Sequence, residues 1–556
     1  MDISASAFNL QNEEKAIAKE RKQDEQFNLI ITSCTSLSRY ESKRFKTLLP
    51  QILAALISSS YHIVYGISLA FSAVLIPVLE ETEGDLNIEK NGTTGGFIAS
   101  IIVIVVPIAS IVCGFIMDYL GRLHTLKLTT IPVTIGWALI ATAQNIPMVL
   151  VGRLLTGLAG SFGTSPAIVY ITEIARADMR GSLISSAPAF TSLGMVLAYL
   201  MGWFMTWRQV SWVCTALSII PCFLVLLIPE SPVWLVSKGR LEQARKSLEW
   251  IHKYHPKPQD RMQTMAELHL AVLVKDDRKK KEEAPAIRSK VQIFKDLMKP
   301  TAYKPLILLL GLFCFQQFSG IYITLFYAIH FFKKVDQNLN PYLASIFLGT
   351  VRFVMSLANT YMLRRFQRRP LVLVSCVGMA ICMFISGMYT LHGKNDGTNS
   401  FLKWVPVILL VIYVITSMIG LLPIPWTMSA ELFPLEIRGV AQSLSYSIAN
   451  TLMFAAIQSY YPLERLFGGA AGVQFFFGVM ALAGLVYSFV FQPETHGKKL
   501  TDIVEYFNEN TIYLLAKKKE KKGKEKKPIV KNRAAKTDVE KADDKGQSKN
   551  LMEEGN

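Results

Sequence analysis

EIARADMRG, residues 173–181, returns as ELFPLEIRG at 431–439. Both reduce to Glu-x6-Arg-Gly, and each follows a long apolar run. The chain has 556 residues, 51% of them hydrophobic and only 18% charged. Its apolar runs are mostly near the ~20 residues that cross a bilayer as a helix. Twelve such spans are predicted, at about 52–79, 96–117, 126–144, 148–171, 183–206, 210–228, 305–332, 342–363, 370–391, 404–429, 440–462 and 470–491. The two copies of the motif therefore follow spans four and ten. Pro229-Glu230-Ser231 closes span six and Pro493-Glu494-Thr495 closes span twelve. Basic clusters follow spans two and eight. Three correspondences in one order make a six-plus-six duplication. Two parallel halves with a site at their interface are a transporter architecture.

The expected fold is an all-α polytopic membrane protein of two six-helix bundles with a small cytoplasmic helical segment between them. The N-terminal tail covers 1–50, the first bundle 51–229, the central segment 230–304, the second bundle 305–492 and a basic tail 493–556. LEQARKSLEWIHKYH (241–255) suits the central segment, with Leu241, Ala244, Leu248 and Trp250 or Ile251 at helical spacing.

Lys and Arg collect in the loops after even-numbered spans, and the first odd loop is acidic (Glu80, Glu81, Glu83, Asp85, Glu89). By the positive-inside rule both termini are cytoplasmic. Asn91-Gly92-Thr93 then forms a glycosylation sequon on the outer face. The formal charge of +17 sits largely in the central segment and in KKKEKKGKEKKPIVKNRAAK (517–536). Such runs fit solvated cytoplasmic segments, with anionic lipid a partner for the tail, rather than nucleic acid. The N-terminus has no apolar h-region, so no cleaved signal peptide is expected. Six of the seven cysteines fall in apolar runs without paired spacing, which gives neither a disulfide framework nor a metal site. No cofactor and no catalytic motif is expected.

Further motifs carry a family likeness. They are Gly114-x3-Asp118-x2-Gly121-Arg122, Arg153-x3-Gly157, Tyr170-x2-Glu173, PESPVWL (229–235), Gln316-Gln317-x-Ser319-Gly320, PIPW (423–426) and PETHG (493–497). With them the chain resembles the sugar-porter branch of the major facilitator superfamily. It looks closest to insect-type facilitated trehalose and hexose transporters, over about four fifths of its length. The resemblance implies a midplane cavity between two bundles and facilitated sugar transport at the cell membrane. It implies that Gln316 and Gln317 contact sugar and that Ser319-Gly320 lets span seven bend. Several positions depart from the pattern. Tyr322 and Arg352 stand where the family has Asn, Pro188 where it commonly has Gln, and Arg364 where it has an acid.

The residues support the same reading. Two side-chain amides facing lipid would cost several kcal/mol. Facing a wet cavity they offer donors and acceptors for hydroxyls. Gln316, Thr324 and Tyr327 share a helical stripe. Trp426 can stack on a sugar face, and Asn450 lies near the corresponding span-eleven position. Arg352 lies ~15 Å from either membrane face at 1.5 Å per residue, with no acid in the core of any predicted span. It anchors span eight or meets the cargo, which would then be an anion or another polar metabolite. Asp118, Arg122, Glu173, Arg180, Glu230, Glu431, Arg438 and Glu494 end spans on the cytoplasmic side, with Arg368 and Arg369 after span eight. Together with Arg153 they form the expected gating set, a latch between the halves. Span one has no Asp, and His62 is its only titratable candidate, so uncoupled transport is expected. A sugar sensor with little flux is the reading from another class.

Overall fold

The structure, a computed structural model, describes residues 45–90, 92–254, 264–283, 295–327, 329, 340–392, 405–434, 437–496, 498, 500–509 and 513, and among these it contains helices and no strand. Among the described residues, eleven helical segments are long and apolar enough to cross a membrane: Lys46–Leu79, Thr93–Leu120, Arg122–Ala141, Ile146–Ile174, Met179–Phe204, Trp207–Val225, Pro300–Phe326, Pro341–Arg365, Arg368–His392, Val405–Glu431 and Ala470–Phe491. They are spans one to ten and span twelve. Span eleven is the 21-residue helix Arg438–Gln458, more polar because it buries Ser445 and Asn450 against its neighbours. The sequon asparagine Asn91 and most of both tails lie outside the described residues.

Within the first half, span one packs on span five, three on six and two on four; within the second, span nine packs on ten and twelve. Spans two and eleven, and spans five and eight, join the halves. Lipid offers helices no hydrophobic drive to associate, so close backbone approach matters more than in water. A Cβ at Gly66 of span one would lie 2.0 Å from the Thr191 carbonyl oxygen, and one at Gly194 of span five would lie 2.1 Å from that of Ile63.

Five spans are interrupted, span five only by a turn at Ser185 near its cytoplasmic start. Span one turns at Ser60, and span four carries a five-residue π-helical turn at Ala159–Gly163. Span seven unwinds after Phe318, with Gly320 at φ +90°. Span ten unwinds between Ile419 and Ile424. Non-helical backbone at membrane depth is tolerated only where protein or a wet cavity satisfies it, so these breaks mark the interior of each half.

Arg153 lies in this interior and not with the charges at the cytoplasmic ends. It is fully buried, in the part of span four nearer its outer end. Its Nε donates to the Ile98 carbonyl at 3.2 Å, Nη1 to the Ser68 carbonyl at 2.6 Å, and Nη2 to the Ser72 hydroxyl. The guanidinium staples spans one, two and four together. Arg153→Ala removes three charge-assisted bonds and leaves a cavity, so it should cost roughly 3 kcal/mol or more. Thermal unfolding in detergent, read against wild type, checks this.

On the cytoplasmic side, Pro232–Ser237, Leu241–Ile251 and Met265–Glu283 are helical. Ala244 packs in a small core of Trp234, Leu235 and Val236, against Leu270, Leu273 and Val274, while Leu248 and Ile251 are buried as well. Leu241, expected on that face, is exposed because it opens its helix.

Candidate functional site

The break in span seven faces the break in span ten. Gln316 is fully buried, and its Nε2 donates to the carbonyls of Leu421 and Leu422 at 2.8 and 2.7 Å. Those carbonyls belong to the unwound turn of span ten, where Pro423 cannot supply a donor. Gln316 thus spends both amide protons on the fold. Its Oε1 accepts from Gln317 Nε2 at 3.0 Å. Gln317 Oε1 is buried and has no hydrogen-bond partner among the described residues. Of the pair, Gln317 is the one with an acceptor to offer.

Around them stands an aromatic group drawn from both halves. Trp426 meets Phe313 and Tyr446 edge-on, with centroids 4.9 and 5.0 Å apart. The Tyr322 hydroxyl faces Trp426 and Arg352. Tyr65 of span one neighbours Tyr322 and Tyr446, and the Tyr446 hydroxyl meets Thr164 of span four. Arg352 is 8% exposed, with its Cζ 5.9 Å from the Tyr322 ring centroid and Tyr199 of span five beside it. Tyr65, Tyr322, Trp426 and Tyr446 are each only partly buried, as residues at the edge of a cavity are.

Three expected residues stand apart from this group. Thr324 and Tyr327 line a small outer pocket with Tyr460, Gln474 and Phe477. Tyr327 stacks on Tyr460 at 4.8 Å. Asn450 donates its amide to the Tyr446 carbonyl of its own helix at 2.8 Å. Sequence reading passed over Tyr65, Tyr199 and Tyr446. The available signal was depth: tyrosine favours the membrane interface, so a tyrosine near mid-span asks for a polar neighbour.

The outer ends of the halves are joined. Ser100 donates to Gln458 Oε1 at 3.2 Å between spans two and eleven, and Tyr199 donates to the Leu325 carbonyl at 2.9 Å between spans five and seven. At the cytoplasmic ends the charges pair inside each half, not across the halves as expected. Arg122 grips Glu173, with Nε to Oε2 at 3.0 Å and Nη2 to Oε1 at 2.8 Å, and also reaches exposed Asp118. Arg368 Nη2 meets Glu431 at 2.8 Å. Glu230 accepts from the backbone N–H of Arg122 and Leu123 at 3.2 and 3.0 Å. Glu494 accepts from those of Arg368 and Arg369 at 3.0 and 3.1 Å. A carboxylate on free N–H groups at a helix start is favoured by the helix dipole. The acid after the last span of each half returns to its own bundle and caps its third helix there, so the motif repeat builds two equivalent clamps. Across the halves, Arg364 donates to the Ser182 hydroxyl. Arg180 is exposed, and the Arg438 side chain lies outside the described residues.

Arg122 and Glu173 keep only 12% and 13% of their side-chain surface exposed. Glu173→Gln leaves the Arg122 charge with only Asp118. It should destabilise the first half by about 3 kcal/mol, within the range for a broken buried pair. A melting shift much smaller than that of Arg153→Ala would contradict this.

Residues 53–507 match the family model described as "Sugar (and other) transporter". The chain belongs to that family. It is a multi-pass membrane protein and not an enzyme. It is 30% identical over 453 residues to a facilitated trehalose transporter Tret1 of Culex quinquefasciatus, covering 82% of this chain and 85% of the relative. It is 32% identical over 461 residues to the protein of the same name in Polypedilum vanderplanki, covering 82% and 87%. Against the Drosophila grimshawi protein of that name the identity is also 32%, but the match spans only 47% of that longer chain. Among solved structures, the inward-open xylose transporter XylE of E. coli superposes with a TM-score of 0.65 at 20% identity, over 81% of this chain and 98% of that one. This likeness establishes the twelve-helix, two-bundle fold.

Proposed function

We propose that this protein carries a sugar of hexose or trehalose size by facilitated alternating access. One observation carries the reading furthest. Gln317 offers a buried, unpaired acceptor where the breaks of spans seven and ten meet, and an unmade hydrogen bond there costs ~1–3 kcal/mol until a hydroxyl fills it. Trp426 and the tyrosines supply faces for stacking and hydroxyls for hydrogen bonding. The names of the trehalose relatives support the size class. The two clamps hold each bundle rigid, so the bundles rock as bodies about the cargo. Arg122, Glu173, Glu230, Arg368, Glu431 and Glu494 are the gating residues in this sense, with Arg180, Arg369 and Arg438 at the same rim. Transport is uncoupled: His62, the candidate in span one, is buried and turns Nδ1 to the Ser59 carbonyl at 3.2 Å. Both termini face the cytoplasm at the plasma membrane, and the basic tail meets anionic lipid.

A ligand that binds only the folded state raises thermal stability by mass action. Purified protein should be stabilised by at least one of trehalose, glucose and fructose in a concentration-dependent way. Indifference to all three, with wild-type folding, would defeat the reading.

A further inference from the structure

Arg153 and Arg352 are both buried inside spans, away from the cytoplasmic ends, and they are treated oppositely. Arg153 has a hydrogen-bond acceptor for Nε and for both terminal nitrogens. Arg352 is the twelfth residue of the 25-residue span Pro341–Arg365, so it stands at mid-membrane. Its Nε is buried without a partner among the described residues. Among the described residues the groups around it are phenols, those of Tyr322 and Tyr199, with no carboxylate among them. Tyr199 spends its own proton on the Leu325 carbonyl, so it turns only lone pairs toward the arginine. Phenol hydroxyls solvate a guanidinium but do not neutralise it. A cation at this depth is costly. A brace would have closed its donors on acceptors of the fold, as Arg153 does.

We infer that Arg352 and Tyr322 form a subsite for a carboxylate carried by the cargo. The inference rests on the proposed sugar transport and narrows it to a range that includes acidic sugars. A carboxylate accepts the guanidinium fork on two oxygens and brings one negative charge to one positive charge. A phosphate dianion would leave a net charge in the same low-dielectric place, which is the poorer match. The site takes residues from both halves, Tyr199 from the first and Tyr322 with Arg352 from the second. An acid bound there is held at the interface that must rearrange during transport.

The test compares glucuronate with glucuronamide, which keeps the ring and hydroxyls and removes the charge. Binding to the purified full-length protein is read by thermal shift and by competition with whichever neutral sugar stabilises it. The expected result is at least tenfold tighter binding of glucuronate than of glucuronamide by wild type, with the preference abolished in Arg352→Gln because the acid loses far more affinity there than the amide. Equal affinity for acid and amide in wild type overturns the inference, and so does a preference that survives Arg352→Gln. If that variant does not fold, the wild-type ratio decides alone, and Tyr322→Phe should reduce the ratio without removing it. Absence of the preference in wild type, with neutral-sugar binding intact, sinks only this inference. Failure of every sugar to bind sinks the function on which it rests.

Discussion

Gln316→Leu lowers the stability of the protein by about 2–5 kcal/mol, whereas Gln317→Leu leaves it within about 1 kcal/mol of wild type and abolishes sugar binding. The residues are adjacent and chemically identical, so only their partners can separate them. Gln316 holds two carbonyls of the unwound turn of span ten and accepts from Gln317. Removing it strands two acceptors and one donor in a dry interior, each at ~1–3 kcal/mol before relaxation. Gln317 makes one such bond and keeps one oxygen free. Leucine there leaves Gln316 Oε1 without that donor but also removes a buried unpaired oxygen, so the two effects largely offset, and it ends the offer of an acceptor to cargo. Thermal unfolding of both variants, each with and without the stabilising sugar, separates the two roles. Equal melting shifts would mean that the amides act as one unit.

Gly320→Val should be the most damaging single change in span seven. The residue has φ +90°, and a Cβ placed on it would lie 2.5 Å from the Phe477 ring of span twelve. A β-branched side chain in that backbone region costs more than the ~1–2 kcal/mol of an ordinary residue. Overpacking against the ring adds about 1–3 kcal/mol. Either the break re-forms as helix or span twelve moves away. Both displace the outer part of span seven, which carries Tyr322 and the Leu325 carbonyl that Tyr199 grips. Sugar flux should fall by more than tenfold, and Gly320→Ala should retain more of it. Undiminished flux in Gly320→Val would show that the bend in span seven is not needed for transport.

The fold was legible because bilayer physics writes in long strokes. Span twelve was predicted at 470–491 and is the helix Ala470–Phe491. The repeat of Glu173 to Gly181 at Glu431 to Gly439 declared the duplication, and its two clamps join corresponding spans. The partners of those charges were not legible. Spacing along a chain does not say whether an acid at the end of span six turns toward its own bundle or the other, and Glu230 turns inward to cap span three. Arg153 was misplaced for a related reason. A motif arginine reads as a gate until three neutral acceptors are seen around it. Arg352 was recognisable from depth alone, since nothing of opposite charge was available to it. Its tyrosines were not, because Tyr65, Tyr199 and Tyr446 come from three spans that only the fold brings near Tyr322 and Arg352.

The central claim is that sugar crosses between the two halves and does not merely bind there. Counterflow tests it most directly. Proteoliposomes are preloaded with the unlabelled sugar that stabilises the protein and diluted into a trace of the labelled sugar, without a pH gradient. A carrier that alternates access should accumulate label transiently above its equilibrium level and then release it, and Gln317→Leu should show no overshoot. Stable binding of the sugar by wild type without any overshoot would contradict the account and leave a sensor in its place.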